Sequence, residues 1–207
     1  MKKSGAMMSQ TFKTIKLNAL ISITLLLSIS ALVYARSNKF HSPYFDLALA
    51  KNLKLISKTE QRNDGFNRYV FSSSSGDNVE LQMRVIVSSK KPENGQSLAD
   101  FQTCAVANMS VMFVESNGLY QYLRAQENKK VLGEKPNKFK MGKAIFAGMT
   151  MYFGDTDASF LVTNAHNMTY AFTLISKNAN EQTRKNNLKM LTKQLQSIRF
   201  NSVAGNE

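Results

Sequence analysis

The sequence predicts an α+β fold, with helices packed on an antiparallel β-sheet. The first sign is the strict alternation of apolar and polar residues over Val79–Val87, which is typical of a strand with one buried face. The second is a run of three apolar, β-branched segments between residues 144 and 176, joined by short polar turns, which predicts an antiparallel meander. The third is helical spacing of apolar residues in two other segments, after Ser97 and after Asn180.

The N-terminus has the charge pattern of a targeting segment. Four lysines and no acid occur in the first sixteen residues, and nineteen uncharged residues, 17–35, follow. Because Val33 and Ala35 are small residues that suit signal peptidase, we predict that residues 1–35 are a signal peptide cleaved after Ala35. The alternative is an uncleaved inner-membrane anchor, since nineteen helical residues reach roughly 28 Å. Both predictions place the rest of the chain outside the cytoplasm, in the periplasm or secreted.

The rest of the chain predicts one basic domain. Without residues 1–35 and their four lysines, 172 residues remain, and they hold 23 Lys and Arg against 14 Asp and Glu. This balance favours contact with anionic surfaces. Cys104 is the only cysteine, so no internal disulfide forms. It lies in an apolar helical pattern and is predicted to be an inert buried thiol, with an intermolecular disulfide or a reactive thiol as the alternatives.

The domain boundaries follow from polarity. Residues 36–43 are polar and end at a proline, so they predict a flexible leader before a single domain over residues 44–200. Phe45–Ile56 contains two short apolar stretches, which predict one or two edge strands. The polar turn after them has Asp64-Gly65 as its expected tip. Residues 201–207 predict a disordered tail.

A hairpin and a helix are predicted next. Phe66–Phe71 and Val79–Val87 predict two antiparallel strands whose connecting loop contains Ser72–Asn78. Ser97, with Asp100 three residues later, predicts the N-cap of a helix. The apolar stripe of this helix is expected to face a core and consists of Leu98, Phe101, Ala105, Met109 and Met112.

A lysine-rich loop, a meander and a last helix are predicted to complete the domain. Gly133 and Pro136 predict that residues 129–143 are a loop. The three strands of the meander are predicted at Ala144–Phe153, Ser159–Thr163 and Met168–Ser176. The last helix is capped by Asn178 or Asn180 and is expected to lie on the sheet. Its apolar side consists of Leu188, Leu191, Leu195 and Ile198.

Lysines of the loop and of the last helix form the candidate binding site, a basic patch for an anionic surface. Each lysine close to an anionic membrane adds about 1 kcal/mol of attraction, provided that the lysines converge in space. The alternative is that the loop and the polar face of the helix are only solvated. The patch consists of Lys129, Lys130, Lys135, Lys138, Lys140, Lys143, Lys185, Lys189 and Lys193.

The order of these elements resembles that of the PsbP/DcrB-like exported domains over about residues 44–200. The likeness is carried by FDLALAKNLKLISK near the start and by YAFTLISKNANEQTRKNNLKMLTKQLQSIRF at the end. The resemblance implies an antiparallel sheet sandwiched by helices, that is, an α/β/α sandwich. It transfers no catalytic residue, because members serve largely as accessory or binding modules without a shared active-site motif.

Residues for catalysis or metal binding are sparse. His41, His166 and Cys104 are far apart in the sequence, so we expect no metal and no cofactor. Asp155 and Asp157 are expected to cap a hairpin turn. Cys104 and His166 with either aspartate supply the residue types of a hydrolase without a local signature.

The sequence therefore predicts an exported, non-enzymatic accessory or binding domain. The expected partner is an envelope protein or an anionic envelope surface, and no nucleic acid is expected. One alternative is a carrier of a small, lipid-like ligand, with a groove lined by Met149, Met151 and Phe172. The other is a hydrolase that uses Cys104.

Overall fold

Twelve elements occur in the residues that the computed structural model describes, which are 38–60, 65–73, 81–118 and 137–202. The predicted signal peptide, residues 1–35, and the last five residues of the predicted tail lie outside them. The strands are β1 Asn38–His41, β2 Phe45–Leu49, β3 Leu53–Glu60, β4 Phe66–Ser73, β5 Leu81–Ser88, β6 Asn137–Met141, β7 Ala144–Phe153, β8 Thr156–Ala165, β9 Met168–Lys177 and β10 Arg199–Phe200. The helices are α1 Leu98–Ser116 and α2 Glu181–Leu195. In the described part, neither helix is long and apolar enough to cross a membrane.

Seven strands form the main sheet, in the order β3-β4-β5-β9-β8-β7-β6. Every neighbouring pair is antiparallel. The predicted hairpin is confirmed as β4 and β5, and the predicted meander is confirmed as β7, β8 and β9. The β8–β9 turn consists of His166 and Asn167, whose positive φ angles of 48° and 60° suit a two-residue hairpin turn.

One face of the main sheet packs against a second, three-stranded sheet of order β1-β2-β10 and against α2. The alternation predicted for β5 is confirmed here, since Leu81, Met83, Val85 and Val87 are all buried in this core. The Tyr170 hydroxyl donates to the Tyr44 carbonyl at 3.1 Å and so ties the two sheets together. We refer to this face as the α2 side.

The described part of the predicted leader, residues 38–43, is not flexible chain, because β1 begins at Asn38 and pairs with β2. Phe40 packs on the core and meets Phe71 edge to face, with ring centroids 4.9 Å apart. The first residue of the predicted tail is also ordered. Asn201 donates its backbone N–H to the Tyr44 carbonyl at 2.8 Å. The polar composition of these ends misled the prediction, since one aromatic side chain and a few backbone hydrogen bonds suffice to fix them.

Helix α2 has the predicted cap and the predicted apolar side. The side chain of Asn180 accepts the backbone N–H of Thr183 at 3.0 Å, which satisfies a free donor of the first turn. Leu188, Leu191 and Leu195 are buried against the sheet. The prediction for this helix is confirmed except for Ile198, which lies beyond the end of the helix at Leu195 but still packs against the core.

Helix α1 covers part of the opposite face, which we call the α1 side. Its predicted N-cap is confirmed, since Ser97 Oγ accepts the Asp100 N–H at 3.1 Å. The predicted apolar stripe is wrong by about one residue position, because Leu98 and Met112 are exposed. The residues that face the sheet are Gln102, Val106, Ser110, Phe113 and Val114.

The predicted lysine loop ends in a strand. Its last residues, Asn137–Met141, form β6 at the edge of the main sheet, where Phe139 pairs with Phe146 and Met141 with Ala144. The structure thus has helices on both faces of an antiparallel sheet, and the predicted fold class is confirmed.

Candidate binding surface

Helix α1 is too narrow to cover its face of the main sheet. Strands lie about 4.8 Å apart and a helix is about 10 Å wide, so one helix covers about two strands. Its contacts are with β7 and β8, through residues such as Phe113, which meets Phe160 at 5.4 Å between ring centroids. On β3, β4 and β5, no described element packs over the α1 side. We call this uncovered region the open face.

The strand register identifies the residues of the open face. Cross-strand partners share a face, and Ile175 belongs to the core beneath α1. Its partner on β5 is Gln82, and the same side of the sheet holds every second residue along each strand. The open face therefore consists of Lys54, Ser57, Thr59, Phe66, Arg68, Val70, Ser72, Gln82, Arg84 and Ile86. These positions include three cationic residues and no acid.

Arg84 is the central cation of the open face. It lies between Val70 on β4 and Thr173 on β9. Its Nε donates to Gln82 Oε1 at 2.6 Å, and no carboxylate in the described part pairs with it. Partial burial lowers the pKa of the Arg84 guanidinium, because it withdraws part of the charged group from water.

Two more cations meet over an aromatic ring at one end of the open face. The guanidinium carbon of Arg68 lies 5.9 Å from the centre of the Phe66 ring, and Lys90 Nζ lies 5.3 Å from it. Both distances are within the range of cation–π attraction. Phe66 thus holds two positive groups near each other, and one of them, Arg68, lies diagonally across from Arg84 on the neighbouring strand.

The lysines of the predicted patch do not share one surface. Lys138 pairs with Ala147, which belongs to the core beneath α1, so Lys138 and Lys140 lie on the α1 side. Lys143 lies in the β6–β7 turn. The other three described lysines are exposed on α2, on the opposite side of the sheet. The remaining three, Lys129, Lys130 and Lys135, lie outside the described residues.

The α2 lysines are also partly neutralised. Lys185 Nζ lies 2.5 Å from Glu181 Oε1, one turn earlier on the exposed surface. This pairing raises the pKa of Lys185 and lowers the pKa of Glu181. Among the described residues, no carboxylate pairs with the other two lysines of α2, Lys189 and Lys193.

Sequence reasoning missed the cations of the open face. The signal was present, since Arg84 occupies a polar position of the alternating strand and Arg68 lies in the strand that precedes it in the sequence. What the sequence lacked was the register, which places Arg68 opposite Ile86 and therefore diagonally adjacent to Arg84.

A buried ion pair was missed as well. Asp157 was expected in a turn, yet it lies in β8 with no exposed surface, and Asp155 alone belongs to the turn. Arg184 Nε donates to Asp157 Oδ1 at 3.0 Å, and Nη1 of Arg184 donates to the Asn178 carbonyl at 2.6 Å. Burial raises the pKa of Asp157, and the pull of Arg184 only partly opposes it. The pair fixes the start of α2 to the sheet.

The residues of the hydrolase alternative are not assembled. Asp155 and His166 lie at opposite ends of β8, roughly 30 Å apart at the rise of an extended strand. Asp157 forms an ion pair with Arg184 on the α2 side. Cys104 is exposed on α1 and not buried as predicted, because it lies on the helix face turned away from the sheet.

The residues of the carrier alternative do not line one groove. Met149 and Met151 belong to the core beneath α1, whereas Phe172 is fully buried in the core on the α2 side. Within the described residues, no three His, Cys, Asp or Glu side chains are placed to hold a metal ion.

No protein-family model matches the chain, and no curated protein matches it. Sixteen solved chains are similar in structure. One, from Bacteroides thetaiotaomicron, has a TM-score of 0.43 and 10% identity, and the match covers 80% of this chain but 48% of that one. Another is the cyanobacterial PsbP (CyanoP) from Synechocystis sp. PCC 6803, with a TM-score of 0.48 and 11% identity over 79% of this chain and 91% of that one. The second of these structures carries the PsbP name that the sequence resemblance gave, and the likeness is one of fold only.

Proposed function

We propose that this chain is a non-enzymatic binding domain that acts outside the cytoplasm on an anionic surface of the cell envelope. The observation that carries the proposal is the open face. Lys54, Arg68 and Arg84 lie on it without a carboxylate partner in the described residues, and Lys90 joins them over Phe66.

An acid-free group of cations favours a negatively charged partner for a simple reason. Arg84 and Arg68 are exposed and no carboxylate among the described residues pairs with them, so an anion that approaches this surface meets positive charge. Near an anionic membrane each such charge adds about 1 kcal/mol, so four of them give weak but useful affinity. The separation of His166 from Asp155 favours this function over the hydrolase alternative.

Export is part of the proposal and rests on residues 1–35. Four lysines before nineteen uncharged residues support translocation of the domain that comes after them. A C-terminally tagged full chain, expressed in cells and fractionated, is expected in the envelope or the medium. Recovery of the intact chain from the cytosol contradicts export.

Binding is tested with vesicles and salt. The exported protein is mixed with vesicles of phosphatidylcholine alone or of phosphatidylcholine with phosphatidylglycerol, and the bound fraction is measured by sedimentation. We expect binding to the anionic vesicles only, and we expect it to fall as salt is raised, because the Debye length shortens from about 10 Å at 0.1 M to about 3 Å at 1 M. Equal binding to both kinds of vesicle, or to neither, contradicts the proposed function.

A further inference from the structure

The outward face of α1 is apolar, which is unusual for a helix on a domain surface. Phe101–Val114 contains no charged residue. Met112 is 66% exposed and Val111 is 50% exposed. The exposed residues between the first and last turns, which we call the crest, are Cys104, Ala107, Asn108, Val111 and Met112. Only Asn108 among them carries a strongly polar group, whereas a solvated helix face is normally charged or polar.

Two exposed apolar residues extend this surface. Leu98 is 50% exposed at the start of α1. Ile145 is 58% exposed on β7, on the α1 side, where it pairs with Lys140. The apolar surface therefore reaches from the helix to the strands beside it.

Cationic strands flank the crest on both sides. Helix α1 lies over β7 and β8. On one side is β6, with Lys138 and Lys140 on the α1 side of the sheet. On the other side, beyond β9, is the open face with Arg84 and Arg68.

The acids of α1 lie at its two ends. Asp100 is in the first turn, where Ser97 Oγ donates to its carboxylate, and Glu115 is in the last turn.

We propose that the α1 side is a membrane-docking surface, with the crest at the boundary between lipid headgroups and acyl chains and the flanking cations at the phosphates of an anionic bilayer. This inference rests on the proposed function and adds its orientation and its lipid contact. An apolar ridge between basic flanks has the pattern of an interfacial helix, whose apolar face enters the membrane by about 5–10 Å. Met112 and Val111 are the residues that enter first.

Charge complementarity favours a membrane over a second copy of the chain. A symmetric dimer through the crest brings the same surface of each copy together. Arg68, Arg84 and Lys138 of one copy then face the cations of the other, and their repulsion opposes the contact. An anionic bilayer instead meets both flanks with the opposite charge.

The lone cysteine supplies a probe on the crest itself. An environment-sensitive fluorophore attached to Cys104 of the protein purified in its exported form is expected to shift to the blue on anionic vesicles and not on neutral ones. The control is a Cys104→Ser, Lys189→Cys variant labelled on the α2 side, which is expected to show no shift. A shift at position 189 with none at position 104 overturns the inference.

Paired charge variants test the orientation. Lys138→Gln with Lys140→Gln removes two charges from the α1 side, and Lys189→Gln with Lys193→Gln removes two from the α2 side. The first pair is expected to weaken binding to anionic vesicles about 25-fold, at about fivefold per charge, and the second to change it little. Equal losses, or a larger loss from the α2 pair, overturn the inference.

The crest is tested by Met112→Asp. This residue is already exposed, so the variant is expected to keep the melting temperature of the wild type and to lose vesicle binding by at least about tenfold, since it places a charge where an apolar group enters lipid. Unchanged binding overturns the inference, and self-association that Met112→Asp abolishes favours a second copy over the membrane.

The two proposals fail in different ways. Binding to anionic vesicles that survives all the α1-side variants refutes the docking surface and keeps the proposed function. Absence of any preference of the wild type for anionic vesicles refutes the proposed function, and with it this inference.

Discussion

The pair of Asp157 and Arg184 offers the sharpest test of how α2 is fixed to the sheet. The Asp157 side chain has no exposed surface and the Arg184 side chain is 8% exposed. Each is therefore costly to leave alone, since a buried charge without its partner has neither water nor a counter-ion. We consider the changes Asp157→Leu and Arg184→Met, separately and together.

The expected losses follow from the remaining hydrogen bonds. In Asp157→Leu, Arg184 keeps its bonds to the carbonyls of Asn178 and Ala179, so we expect a loss of about 3 kcal/mol, the lower end of the range for breaking a buried pair. In Arg184→Met, Asp157 keeps a buried carboxyl whose Oδ2 has no hydrogen-bond partner within the described residues, and we expect a similar loss at neutral pH. The double variant removes both charges and is expected to lose less than either single variant.

Urea unfolding of the four proteins measures the coupling. A cycle of this kind cancels the packing effect of each new side chain, and we expect a coupling of at least about 2 kcal/mol. Lys185→Ala serves as the control, because it breaks the neighbouring but exposed pair with Glu181 and is expected to change the free energy of unfolding little. Additive losses in the double variant would refute the argument that the two charges depend on each other.

Three further outcomes are expected. Because the pKa of Asp157 is raised in the folded chain, its protonated form adds stability below about pH 4, and this stability is lost as pH rises through the raised pKa. The free energy of unfolding of the wild type, measured relative to Asp157→Asn, should therefore fall with pH by at most about 1.4 kcal/mol per pH unit. A rise of that relative free energy with pH contradicts the prediction. Gly142→Ala should lower the melting temperature more than Gly95→Ala does. Both glycines have positive φ (59° and 84°), but only a Cβ at position 142 meets a backbone carbonyl oxygen, at 3.3 Å. Equal losses in melting temperature contradict this crowding. Cys104 should react with a thiol reagent in the native protein at the rate of an exposed thiol, and a reaction that needs denaturant contradicts its placement.

Most strands of the main sheet were predictable because their signal is local, whereas β6 lies in the lysine-rich segment that was predicted to be a loop. Alternation over Leu81–Val87 requires one buried and one polar face whatever the partner strand is. The turns of the meander were equally local, since His166 and Asn167 need only adopt positive φ to join β8 to β9. The class of fold follows from the number and type of such segments.

The rotation of α1 was not predictable because its sequence is apolar on nearly every side. In the sequence, Leu98, Met109 and Met112 fit the spacing of a buried helix face as well as Val106 and Phe113 do. The choice is made by the partners, such as Phe153 and Phe160, which receive the ring of Phe113. An apolar surplus therefore remains on the outside of the helix, and no pattern in the helix alone says which residues form it.

The basic patch shows the same limit for charges. The sequence predicts that Lys138 and Lys189 are both exposed. Whether they belong to the same surface depends on which face of the sheet each element occupies. A shift of one residue in the register of β6 would turn Lys138 and Lys140 away from the α1 side. The observed register, which buries Met141 on the α2 side, is what puts the two lysines next to the apolar crest. The surface that we propose for the membrane is thus a consequence of core packing on the other side of the same strand.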